Sequence, residues 1–240
     1  MKFFKGFALA FSMLTILPFF RVHDFFRGIN GYAVFSYPLV GAILGLFLWG
    51  AGVLLSPFLP PLHLGVLLFG MWVLLTGALH LDGFADTLDG LFVAKERALE
   101  VMKDPHVGAM GMLFSAMFLF LKASALAHVE ALYLLPLVLM LSRFNASLAI
   151  YFFPYVSQNG MSTLAKEEFT RTQLLFTALY VLALGMWLSW VLVVVSLLVL
   201  LACASFFTRR YGGFTGDIYG FMIETTELVL LHAILFGSTF

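Results

Sequence analysis

Apolar residues run through this chain in blocks of about 20, separated by short polar stretches. The blocks at 31–55, 62–81, 107–129, 131–153 and 218–240 each match a helix crossing a hydrocarbon core about 30 Å thick. The block at 174–207 would form a helix of about 51 Å, too long for one crossing. It reads as two short spans joined by a tight turn at Trp187 and Trp190, because tryptophan favours the membrane–water interface. Residues 3–20, flanked by Lys2, Lys5 and Arg21 and ending at Pro18, read as an interfacial helix or a re-entrant hairpin. Residues 94–103 set Leu99 and Met102 against Lys95, Glu96 and Glu100, the pattern of a short amphipathic helix at the interface. The expected fold is an all-α polytopic membrane protein with about seven transmembrane helices plus the N-terminal interfacial or re-entrant helix. It forms a single integral membrane domain over residues 1–240.

Composition agrees. The chain is 62% hydrophobic and 11% charged, whereas soluble domains carry roughly a quarter charged residues. Zero net charge excludes a general affinity for nucleic acid, and the lone Cys203 excludes an intramolecular disulfide. Small residues such as Gly41 and Gly45 permit close helix packing, with this chain or with another copy of it.

Lys2, Lys5, Arg21, Arg27, Lys95, Arg97, Lys103, Lys166, Arg171, Arg209 and Arg210 all fall in alternate loops. The positive-inside rule makes that face cytoplasmic and places the protein in the cytoplasmic (inner) membrane. Lys122 and Arg143 fall inside spans. Lys122 lies nearer an outer end, where a lysine snorkels. Arg143 follows Ser142 near mid-helix and suits paired hydrogen bonds to a phosphate, or partnership with a buried carboxylate.

The polar residues carry the chemistry. In His80-Leu81-Asp82-Gly83-Phe84-Ala85-Asp86-Thr87-Leu88-Asp89-Gly90, Asp82, Asp86 and Asp89 stand at helical offsets of four and three, on one face. Three such carboxylates repel one another unless a cation neutralises them, and hard oxygen ligands suit Mg²⁺ or Mn²⁺. Asp104, in Met102-Lys103-Asp104-Pro105-His106, is a fourth acidic ligand or an N-cap with Pro105 opening the helix. Tyr211-Gly212-Gly213-Phe214-Thr215-Gly216-Asp217 reads as a glycine-rich turn ahead of a helix, a phosphate cradle capped by Asp217 or Thr215. Beyond it Glu224 and Glu227 lie inside a span and should face the aspartate cavity, since intramembrane acids are costly unless they serve a site.

These motifs, with Gly108-Ala109-Met110-Gly111 and Ser36-Tyr37-Pro38-Leu39-Val40-Gly41, resemble the cobalamin-5′-phosphate synthase (adenosylcobinamide-GDP ribazoletransferase) family of vitamin B12 assembly. The resemblance implies that α-ribazole or its 5′-phosphate attacks adenosylcobinamide-GDP and expels GMP, with Mg²⁺ as cofactor and the site facing the cytoplasm. It implies metal binding by Asp82, Asp86 and Asp89, with Asp104 also catalytic. Substrate binding is expected of Gly212, Gly213, Thr215, Asp217, Glu224 and Glu227 from the matched turn, and of Arg143 from its intramembrane charge; the general base stays open among Asp104, Asp217, Glu224 and Glu227. The family's Tyr-Ala-Arg and Gly-Leu-Gly loop is replaced by Tyr155-Val156-Ser157-Gln158-Asn159-Gly160-Met161-Ser162, so a nucleotide grip there would fall to Lys166 or Arg171. The competing readings are a cation- or proton-coupled transporter lined by the buried acids and another membrane alcohol phosphotransferase.

Overall fold

A computed structural model describes residues 2–19, 26–157 and 161–238. Arg21 and loop residues 158–160 lie outside it. The described residues form ten α-helices. These are α1 (Lys2–Leu14), α2 (Ile29–Leu55), α3 (Pro61–Thr76), α4 (Leu79–Leu91), α5 (Lys95–Val101), α6 (Ala109–His128), α7 (Leu135–Phe152), α8 (Met161–Glu168), α9 (Arg171–Tyr211) and α10 (Gly216–Ser238). Five helices are long and apolar enough to cross a membrane, or six when the bent pair α3–α4 counts as one. That count takes α9 once, against the about seven spans expected from the apolar blocks.

The bundle is assembled around α7. Leu135, Leu137, Val138 and Leu139 on it are fully buried. Helix α2 lies against it through glycines: a Cβ on Gly41 would come 2.3 Å from the Leu139 carbonyl oxygen, and one on Gly45 2.4 Å from Pro136 Cα. The small-residue spacing in α2 therefore serves packing within this chain. Asn145 of α7 ties in two further helices, donating to the Ser196 carbonyl (2.9 Å) and to Thr226 Oγ1 (3.1 Å). Buried amides of this kind are satisfied across helices because lipid offers no partner.

Two breaks shape the fold. Helix α9 loses helical geometry at Ser189 (φ −166°, ψ 99°), between the two tryptophans expected to mark a turn. A Cβ on Gly185 would meet Val193 Cγ2 at 2.6 Å, so the arms fold toward each other. Both ends of α9 lie at one end of the bundle: Gln173 reaches Gly31, and Tyr211 donates to the Gly90 carbonyl. The block at 62–81, expected as one span, breaks instead at Gly77 and Ala78, both left-handed (φ 61° and 56°). Helix α4 then leaves α3 at 88°, so the aspartate motif does not continue the span and lies across the end of the bundle. Helix α1, about 20 Å long, is too short to span. It packs on α2 where Gly6 leaves no room for a Cβ, which would sit 2.2 Å from Tyr32 Cβ.

Candidate active site

Helix α4 crosses the start of α10 almost backbone to backbone. A Cβ on Gly83 would lie 2.9 Å from Asp217 Cα, and one on Gly220 would lie 3.0 Å from the His80 carbonyl oxygen. Glycine at both positions brings the two acidic motifs together. Burial and the negative charges of Asp82, Asp217 and Asp89 raise the Asp86 carboxyl to a pKa of about 7. Asp217 feels the charges of both Asp82 and Lys103. Among the described residues no three His, Cys, Asp or Glu side chains are already arranged to enclose a metal ion.

Asp89 has a different occupation. Helix α6 has Gly108 at its N-cap, which offers no side-chain oxygen. Asp89 reaches over from α4 and accepts from the Gly108 and Gly111 amides, each at 2.7 Å. Those donors would otherwise be unsatisfied at the helix start. The glycines are the room it needs: a Cβ on either would stand 2.3 Å from an Asp89 oxygen.

Asp104 is separated from this cluster. It is exposed and accepts from the His106 backbone amide (3.0 Å), with the His106 ring nitrogen at 2.7 Å. These bonds hold its carboxyl below the usual range. It does not cap α6, which begins four residues beyond Pro105 at Ala109; Asp89 supplies the cap. The glycine-rich turn also has structural occupations. Gly212 ends α9 in the left-handed region (φ 84°), the usual reason for glycine there. Gly213 lies against the Pro154 carbonyl, which a Cβ would approach to 2.3 Å. Of the two capping residues left open, Thr215 caps α10, its Oγ1 accepting from the Ile218 amide at 3.2 Å. Lys166 donates to the Ile150 (3.0 Å) and Phe153 (2.7 Å) carbonyls, satisfying the C-terminal end of α7. Arg171 opens α9 and is exposed.

The largest correction concerns the buried charges. Lys122 does not snorkel. It is 1% exposed, its Nζ donates to Glu224 (2.7 Å) and Glu227 (2.5 Å), and it stands 4.1 Å above the Trp72 ring. Arg143, fully buried, donates to Glu227, and Ser142 Oγ adds a bond to the same carboxylate at 3.1 Å. Two cations thus balance two glutamates inside the bundle, a far better solution than isolated buried charges. The glutamates are engaged here rather than lining the aspartate cavity. The link between network and cavity is Arg143, whose Nη2 is 3.5 Å from His80 Nδ1 and which lines a cavity of about 260 Å³ together with His80, Asp82 and Asp217. That cavity runs from exposed Asp82 inward to buried Arg143. Lys122 was the residue that sequence reasoning missed; its only signal was a charge inside an apolar span.

Comparison with known proteins identifies the family. The chain matches the family described as "Cobalamin-5-phosphate synthase" over residues 6–235. It is 41% identical over 209 residues to a protein of Desulfitobacterium hafniense named adenosylcobinamide-GDP ribazoletransferase, covering 81% of this chain and 82% of the relative. A protein of the same name from Thermosynechococcus vestitus is 38% identical, covering 84% and 85%. One from Acinetobacter baumannii is 35% identical, covering 94% of each chain. No solved structure matches. With its two acidic motifs meeting at one glycine crossing and the match running almost end to end, this chain belongs to the cobalamin-5-phosphate synthase family.

Proposed function

We propose that this protein is an integral-membrane adenosylcobinamide-GDP ribazoletransferase that joins α-ribazole, or its 5′-phosphate, to adenosylcobinamide phosphate and releases GMP. The observation that carries it is the cluster of Asp82, Asp86 and Asp217 at the α4–α10 crossing, where burial and then the neighbouring carboxylates raise Asp86 to about 7. Such a cluster gains most from a divalent cation, and Mg²⁺ is typically held by one or two carboxylates together with substrate phosphates. One or two of Asp82, Asp86 and Asp217 would supply the protein's share of such a site, with substrate phosphates completing it. Asp89, committed to the start of α6, holds α4 in place. When bound, Mg²⁺ would neutralise the phosphate oxygens of a diphosphate substrate.

In the reaction a ribose hydroxyl of the acceptor attacks the phosphorus bearing the cobinamide group. A new P–O bond forms, the anhydride P–O bond breaks, GMP leaves, and one cluster carboxylate takes the hydroxyl proton. Most of the catalysis is positioning and charge neutralisation. The basic residues that the described structure places at this end, such as Lys103, Lys166 and Arg210, support a site facing the cytoplasm from the cytoplasmic membrane. The buried acids that favoured a transporter are already ion-paired. The test is GMP release by purified protein in detergent from adenosylcobinamide-GDP and α-ribazole; its absence at any divalent-cation concentration would refute the assignment.

A further inference from the structure

We infer that the cavity among α1, α4, α7 and α10 is the subsite for the heterocyclic base of the acceptor nucleoside; this rests on the transferase reading above. At about 260 Å³ it is slightly smaller than the roughly 300–1,000 Å³ of most small-molecule pockets. A corrinoid with its amide arms is far too large for it, while a bicyclic base fits. One part of its lining is apolar, with Met13 and Leu14 from α1, Ala146 and Ile150 from α7 and Ile223 from α10, while His80, Asp82 and Asp217 make the rest polar. Apolar walls suit dimethylbenzimidazole, which is aromatic, carries two methyl groups and has one free acceptor nitrogen. Set against these five apolar side chains, guanine would leave more donors and acceptors unpaired than dimethylbenzimidazole does.

Of the polar residues that line the cavity, two carry buried donors without partners. Tyr219 lines it, is 6% exposed, and its hydroxyl has no hydrogen-bond partner. Arg143 lines it, is fully buried, and its Nε is likewise unpaired. Buried orphan donors are rare and call for an explanation. An acceptor nitrogen on a bound base supplies one for the Tyr219 hydroxyl. With the base inserted toward Arg143, the ribose is left at the Asp82 and Asp217 end, where its hydroxyl meets the carboxylate cluster.

Ala146→Leu, which fills the cavity, and Tyr219→Phe, which removes only the hydroxyl, test this in two ways. In steady-state kinetics, Ala146→Leu should raise KM for α-ribazole at least tenfold, leave KM for adenosylcobinamide-GDP unchanged, and favour an acceptor bearing unsubstituted benzimidazole. A selective rise in KM for adenosylcobinamide-GDP would overturn the subsite. Tyr219→Phe, which conserves shape, should weaken α-ribazole about tenfold, the value of one lost hydrogen bond, and settles the matter if Ala146→Leu fails to fold. An unchanged acceptor KM would contradict the inference. Equilibrium dialysis with radiolabelled α-ribazole separates the two levels. Nucleoside binding that Ala146→Leu abolishes, in a wild type that releases no GMP, would refute the transferase reading alone. Equal binding by wild type and variant would refute the subsite alone.

Discussion

Replacing Lys122 by methionine removes one cation from the buried network while keeping most of the side-chain volume. Glu227 retains Arg143 and Ser142, but Lys122 is the one hydrogen-bond partner described for Glu224. The stranded carboxylate must either stay charged in the bundle or take up a proton. Breaking a buried pair by removing one partner costs about 3–5 kcal/mol, because the remaining charge is left without compensation. Adding Glu224→Gln removes the stranded charge and should recover all but about 1–2 kcal/mol. Reversible unfolding in detergent at pH 7 measures both. If Lys122→Met were as stable as wild type, or if the double variant were less stable than the single, the paired network would not be the energetic unit described.

Asp89→Ala should destabilise the protein by about 1–2 kcal/mol in the same assay, through two orphaned amides at the start of α6, while Asp89→Asn should cost less. Asp86 is raised well above an ordinary carboxyl, so its charge destabilises the metal-free fold increasingly as pH rises from about 4 to about 7. Asp86→Asn should therefore raise the metal-free melting temperature at pH 8 and abolish turnover, a stability gain at the expense of activity. Because metal binding needs that carboxylate deprotonated, Mg²⁺ affinity should fall as pH drops below about 7, by up to tenfold per unit, read from the metal dependence of GMP release. Cysteines at Glu130 or Ser189 should label from outside intact cells and one at Glu96 only from inside, with native Cys203 buried and silent; the reverse pattern would overturn the topology.

Much of the scaffold was legible because apolar length and period report directly on helices in a membrane. The Trp187–Trp190 turn was visible for the same reason, and Ser189 breaks α9 there. The right-angle break at Gly77–Ala78 was hidden, since the apolar block runs through it and Ala78 carries no turn signal of its own. Asp82, Asp86 and Asp217 stood out by spacing and motif. The work of Asp89 did not, because an N-cap supplied from another helix leaves only a glycine at the cap position. The Lys122–Glu224 pair spans 102 residues, and no local pattern announces which buried charges will meet. The glycines of the 212–213 turn suggested a phosphate cradle, yet a helix end and a close loop approach demand the same residue type.

The central claim is that carboxylates from α4 and α10 form one metal-dependent transfer site. It is tested most directly by titrating Mg²⁺ into wild type, Asp82→Asn and Asp217→Asn while measuring GMP release from adenosylcobinamide-GDP and α-ribazole. The account predicts no release by wild type after exhaustive chelation, recovery with Mg²⁺, and for both variants a large loss of turnover with a raised metal requirement and unchanged folded yield. Full turnover by chelated wild type, or an undiminished rate in Asp217→Asn, would contradict it.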